Sequence, residues 1–214
     1  NPDADLPFLI RAKDAPSVTR YPTGVSATVH DSWAYERRSE PRDATTSAIA
    51  PGYGHAVLGR GSGDHQMQAH LHFSGAGGHA HLDNLSLILW AKGREMLPDL
   101  GYTWTQMRYW TSRTLVHNTV VIDRADQLGR GSDGNLALFY PDTAGVSVVE
   151  ADGRRAYAQT HDGGAYRRTL VTIPISDEDA YVVDIFRVRG GAMHDWTLHG
   201  DAEHDTTATS SVPL

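Results

Sequence analysis

The stretch "SGAGGHAHLDNLSLILWAKGREMLPDLGY" sets His79, His81 and Asp83 at alternate positions, between a glycine cluster and an apolar run. In an extended segment residues two apart project to one face. Two imidazoles and a carboxylate sharing a face can hold a metal ion, move a proton or pair with an anion. Asp99 follows in "MLPDLGY" and His117 in "LVHNTVV". Imidazoles and a carboxylate converging from adjacent strands suit zinc, with water or another group completing the shell. Asp83 is either a rival carboxylate ligand or the partner that fixes a histidine tautomer. The spacing also admits a metal-free arrangement, with hydrogen-bonded histidines on a polar sheet face.

The elements that must position these residues repeat with period two. "HQMQAHLHF" alternates Met67, Ala69, Leu71 and Phe73 against Gln68, His70 and His72, the pattern of a half-buried strand. "LSLILWAKG" is a continuous apolar run ended by Gly93, which predicts a central strand covered on both faces. "LVHNTVVID", "AGVSVVEAD", "RRAYAQTHD", "YRRTLVTIPI" and "AYVVDIFRVRGG" read as further strands between Gly, Asp and Pro punctuation. "TQMRYWTSR" makes at most a short helical turn. The expectation is an all-β chain, a large antiparallel β-sandwich with few or no helices. Residues 1–50, with "SEPRDATTSAIAPGYG" at their end, read as a loop-rich lead-in holding one or two strands such as "GVSATVH". Residues 51–214 form the sandwich.

Composition narrows the function classes. The 214 residues are 40% hydrophobic and 21% charged, enough to bury a sizeable core. No run approaches the roughly 18 apolar residues of a membrane-spanning helix. A formal net charge of −7 argues against a general nucleic-acid surface. The basic pairs, among them Arg154–Arg155, Arg167–Arg168 and Arg187–Arg189, read as solvated strand faces. Without cysteine neither disulfides nor thiolate metal sites are available. Twelve histidines point instead to metal or proton chemistry. The chain begins at Asn1 and shows no signal peptide, as a processed or excised piece of a longer protein would.

Two other H-x-H patterns fail at a ligand. Asn84 stands where the metallo-hydrolase pattern H-x-H-x-D-H needs its last histidine, and the cupin pattern needs a glutamate that "LDNLSL" lacks. A third holds. "GGHAHLDNLSLILWAKGREMLPDLGY", "YWTSRTLVHNTVVID" and the tail "RRTLVTIP…AYVVDIFRVRGGAMHDWTLHG" resemble the β-sandwich domain of heparinase II/III-like polysaccharide lyases, a group with alginate-lyase relatives. The resemblance covers roughly residues 55–200 and implies a large, supersandwich-like fold.

It also implies roles. His79 becomes the active-site histidine, and His81, Asp99 and His117 the ligands of a zinc that is structural in the family. Tyr102 becomes a catalytic tyrosine, while Tyr109, Arg113 and His199 line the substrate cleft; packing beside the turn accounts at least as well for Tyr102, and sheet-face packing is the preferred reading of His199. The implied reaction is β-elimination on a uronic-acid-containing acidic polysaccharide by a secreted or periplasmic enzyme. The family's helical toroid domain has no counterpart in this strand-rich sequence, so the chain is expected to carry part of an active site and to have little activity alone. The alternatives are a non-catalytic carbohydrate-binding or scaffold domain with a structural metal and, ranked last, a metallo-hydrolase. Oligomeric state is left open.

Overall fold

The computed structural model describes residues 45–75, 80–101, 106–159, 164–201, 207, 209 and 211. Eleven strands carry the fold: β1 (Ala48–Ala50), β2 (His55–Arg60), β3 (Met67–His72), β4 (Leu87–Ala91), β5 (Arg94–Leu97), β6 (Val120–Ile122), β7 (Asn135–Thr143), β8 (Val146–Asp152), β9 (Ala165–Pro174), β10 (Ala180–Arg189) and β11 (His194–Trp196). The segment "GVSATVH" lies outside the described residues.

Pairing of consecutive strands produces two antiparallel meanders. One sheet has the order β1-β2-β3-β4-β5 and the other β10-β9-β8-β7, while β11 pairs with β6 in a small third sheet. Two hairpins show why the chain can turn so tightly. Lys92 and Gly93 join β4 to β5, Ala144 and Gly145 join β7 to β8, and all four have positive φ, the geometry that matches the twist of flanking strands.

Period-two alternation, clearest in β2, β3, β8 and β9, aims one row of each of these strands at a shared core. Ala56, Leu58, Ala69, Leu71 and Leu87 from the first sheet meet Val149, Ala151, Tyr166 and Leu170 from the second, with Val120 and Ile122 beside them. The result is an antiparallel β-sandwich. Sheet-to-sheet ties also occur at the turns: Lys92 pairs with Asp179, and Arg60 donates to the backbone carbonyls of Ser176 and Asp179.

Several expected elements differ. Residues 80–86, expected to be extended, form a loop with a turn at Asn84–Leu85, and Leu85 has φ 60°. β4 is not covered on both faces, since Trp90 is 38% exposed. "RRAYAQTHD" contains a 3-10 turn at Arg154–Tyr157 instead of a strand, packed where Ala156 and Tyr157 join the core. "TQMRYWTSR" does yield a one-turn helix at Arg108–Thr111. Arg168 was expected on a solvated face and is fully buried. Its Nε donates to Asp184 Oδ1 at 2.8 Å and its Nη2 to Oδ2 at 2.5 Å. Its Nη1 reaches the carbonyls of Leu85 at 2.7 Å and Asn118 at 2.5 Å.

Candidate functional site

Three segments converge beside the core: the loop before β4, the stretch after β5, and the bend between the 3-10 turn Thr114–Val116 and β6. Each is held by backbone groups that no strand ladder uses. Leu82 N–H donates to the Ser112 carbonyl at 3.0 Å, and Ser86 N–H to the Asp83 carbonyl at 2.9 Å. The Asn118 amide donates to the carbonyls of Leu87 at 3.0 Å and Pro98 at 2.7 Å, which fixes the residue preceding Asp99. Thr197 Oγ1 donates to the carbonyl of His117 at 2.6 Å. Arg168 reaches the Leu85 and Asn118 carbonyls from the opposite sheet and holds the first and third segments together.

The side chains these segments present are acids and imidazoles. His117 is wholly buried, and its Nδ1 stands 2.5 Å from Asp99 Oδ1. Asp83, Asp99 and His117 each offer a ligand atom, all within 4.8 Å of one another. The His81 ring lies 5.2 Å from that of His117, and His81 is 7% exposed. Burial lowers the His81 pKa; His117 lowers it further, Asp83 and Asp99 oppose the shift, and Arg108 adds to it.

Whether these residues suit a metal can be judged from His117. With Nδ1 taken up by Asp99, its Nε2 is buried with no hydrogen-bond partner among the described residues. An unpaired buried nitrogen costs stability, and a cation is a natural partner for it amid two carboxylates. Two oxygens and imidazole nitrogens suit zinc in type and number. The residues fit the metal.

The structure thus brings Asp83, Asp99 and His117 together, with the His81 ring beside His117 but outside that grouping; Asp83 Oδ1 also stands 3.6 Å from His72 Nε2. His79 and Tyr102 lie outside the described residues. Tyr109 is 76% exposed, with the Arg113 guanidinium 5.7 Å from its ring centre, and Arg113 Nε donates to Asp126 at 2.9 Å. The His199 amide donates to Asn118 Oδ1 at 2.7 Å, and its ring nitrogen contacts the Leu115 carbonyl at 3.1 Å, so His199 borders the centre through Asn118. Asn84, the residue that breaks the metallo-hydrolase pattern, is a buried anchor donating to the carbonyls of Ser132 at 2.6 Å and Ser74 at 3.2 Å. Sequence reasoning missed Asn118 and Arg168 as supports. "HNT" marked the first only as a strand, and an arginine pair gives no sign of which member turns inward.

Similarity to known proteins agrees with the architecture. The heparan sulfate lyase HepC from Pedobacter heparinus superposes with a TM-score of 0.59 at 20% identity, over 83% of this chain and 28% of its own. A heparinase III structure does so with a TM-score of 0.55 at 20% identity, over 81% of this chain and 26% of its own. The chain thus spans about a quarter of the length of these structures. No curated protein matches it. The family model "Heparinase II/III-like, C-terminal" matches residues 47–212. A match over that span, on an antiparallel sandwich, places the chain in the heparinase II/III-like C-terminal domain family.

Proposed function

We propose that this chain is the β-sandwich part of a polysaccharide lyase that cleaves a uronic-acid-containing acidic polysaccharide by β-elimination. It works with a helical toroid domain of the same protein, outside the cell or in the periplasm. The observation that carries the reading is the family match over residues 47–212, supported by the partly buried grouping of Asp83, Asp99 and His117, whose first member lies four residues after His79.

His81, Asp99 and His117 would hold a zinc ion, with Asp83 as a further ligand or as the partner that orients one. The bound ion would supply positive charge that pins the loop before β4 to the bend before β6. The chemistry falls to side chains. The substrate carboxylate must be neutralised so that the C5 proton becomes acidic; a base removes that proton, and an acid protonates the departing 4-linked oxygen. His79, two residues before a pinned ligand, is assigned to the carboxylate or the proton, and Tyr102 to base or acid. Tyr109, Arg113 and His199 are assigned to the sugar chain.

The test uses the whole protein that contains this chain, incubated with uronic-acid polysaccharides. β-Elimination gives unsaturated, ultraviolet-absorbing ends, and His79→Ala should abolish them. Reducing ends without that absorbance would indicate hydrolysis. The second reading, a carbohydrate-binding or scaffold domain with a structural metal, predicts binding with no product.

A further inference from the structure

The outer face of the five-stranded sheet carries a second group of imidazoles. β2 and β3 pair with His55 opposite His72 and Val57 opposite His70, and residues opposite each other or diagonal on one face are within side-chain reach. His55 Nε2 lies 3.0 Å from His70 Nδ1. The ring of His55 is 5.3 Å from that of His70 and 6.0 Å from that of His72. All three histidines are half-buried, and none belongs to the Asp83–Asp99–His117 group.

We infer that His55 and His70 form a second binding site for a divalent transition-metal ion such as zinc. Two nitrogens bound to one tetrahedral ion at 2.0–2.1 Å stand about 3.3 Å apart, so the 3.0 Å pair needs to open by only a few tenths of an ångström. Gln68 prepares one of them. Its Oε1 can only accept, so His70 Nε2, 3.2 Å away, is the donor. In the neutral ring this leaves the Nδ1 lone pair directed at His55, and a hydrogen bond to the far nitrogen is how metal-ligating histidines are commonly oriented. His55 then donates Nε2–H to His70, and admitting the ion requires only that its proton move to Nδ1. Water completes the shell, and His72, whose Nε2 stands 3.6 Å from Asp83 Oδ1, flanks it.

The test titrates Zn2+ into the chelator-stripped chain, with ring-nitrogen NMR as a second readout. The wild type should bind two ions, and the His55→Ala/His70→Ala double variant one, with the lost ion weakened at least tenfold. Zn2+ should also shift the His55 Nε2 and His70 Nδ1 signals of the wild type, a readout independent of how the variants fold. Unchanged stoichiometry and affinity in the double variant, or unmoved His55 and His70 signals in the wild type, would overturn the site. The His117→Ala variant reads the other centre separately and should keep the His55 and His70 shifts.

Discussion

Arg168 and Asp184 form a two-pronged ion pair within the sandwich, Nε to Oδ1 at 2.8 Å and Nη2 to Oδ2 at 2.5 Å. The same guanidinium donates to the carbonyls of Leu85 and Asn118. Arg168→Met keeps much of the volume but leaves a carboxylate and two carbonyls without their donor. Breaking one partner of a buried pair costs about 3–5 kcal/mol. Urea denaturation should show a loss of that order, with the midpoint shifted and the slope retained.

The candidate metal centre predicts a different signature. His117→Ala should remove about one bound zinc per chain, measured by elemental analysis, and lower the melting temperature by more when the wild type is compared in its metal-loaded form than when both are metal-free. Asn118→Ala touches no ligand directly, yet it releases the Pro98 carbonyl beside Asp99. Zinc affinity should fall about 10–100-fold. Unchanged metal content in His117→Ala would remove that residue from the ligand set.

Gly153 tests close packing under the loop before β4. A Cβ there would stand 2.6 Å from Asn84 Oδ1 and 2.9 Å from Leu85 Cγ, and Asn84 and Leu85 are both buried. Gly153 has φ −114°, so the conflict is steric and not one of backbone strain. Gly153→Ala should cost about 1–3 kcal/mol, the usual range for overpacking. Calorimetry that shows no loss would mean that this loop can yield.

Asp152 supplies the pH dependence. Burial alone would raise its pKa, but hydrogen bonds and charge from Arg154 and Arg167 prevail and hold it down at about 2 from 3.8. The folded state therefore binds the proton less readily than the unfolded chain. The stabilisation is fully present above pH 3.8 and is lost as pH falls toward about 2; a shift of this size corresponds to about 2 kcal/mol. Asp152→Asn should be less stable than wild type at pH 5 by that order, and urea midpoints should converge as the pH approaches 2. A gap that persists at the acidic end would place the effect in packing.

The sequence was legible where one physical signal dominated. The alternation of Met67 to His72 marked β3, and the long β-branched runs marked β9 and β10. The fold class followed from such strands with turn residues between them. Loops were harder. "HAHLD" has a strand's alternation, but positive φ at Leu85 and the turn at Asn84 answer to packing below them, which no local pattern records. β7 was overlooked because "NLALFYPDT" is exposed along most of its length, so its side chains carry no consistent inward row. Arg168 and the paired His55 and His70 show a further limit. Their partners lie across sheets or in neighbouring strands, and register is absent from a linear reading.

Asp83 faces two ways, toward His72 at 3.6 Å and toward Asp99 and His117. A single carboxylate cannot give its full charge to both sides at once. On the two proposed sites, a cation in either would alter the free energy of placing one in the other, by the same amount in each direction. The loop before β4 would then act as a thermodynamic hinge between the sheet's outer face and the candidate metal centre.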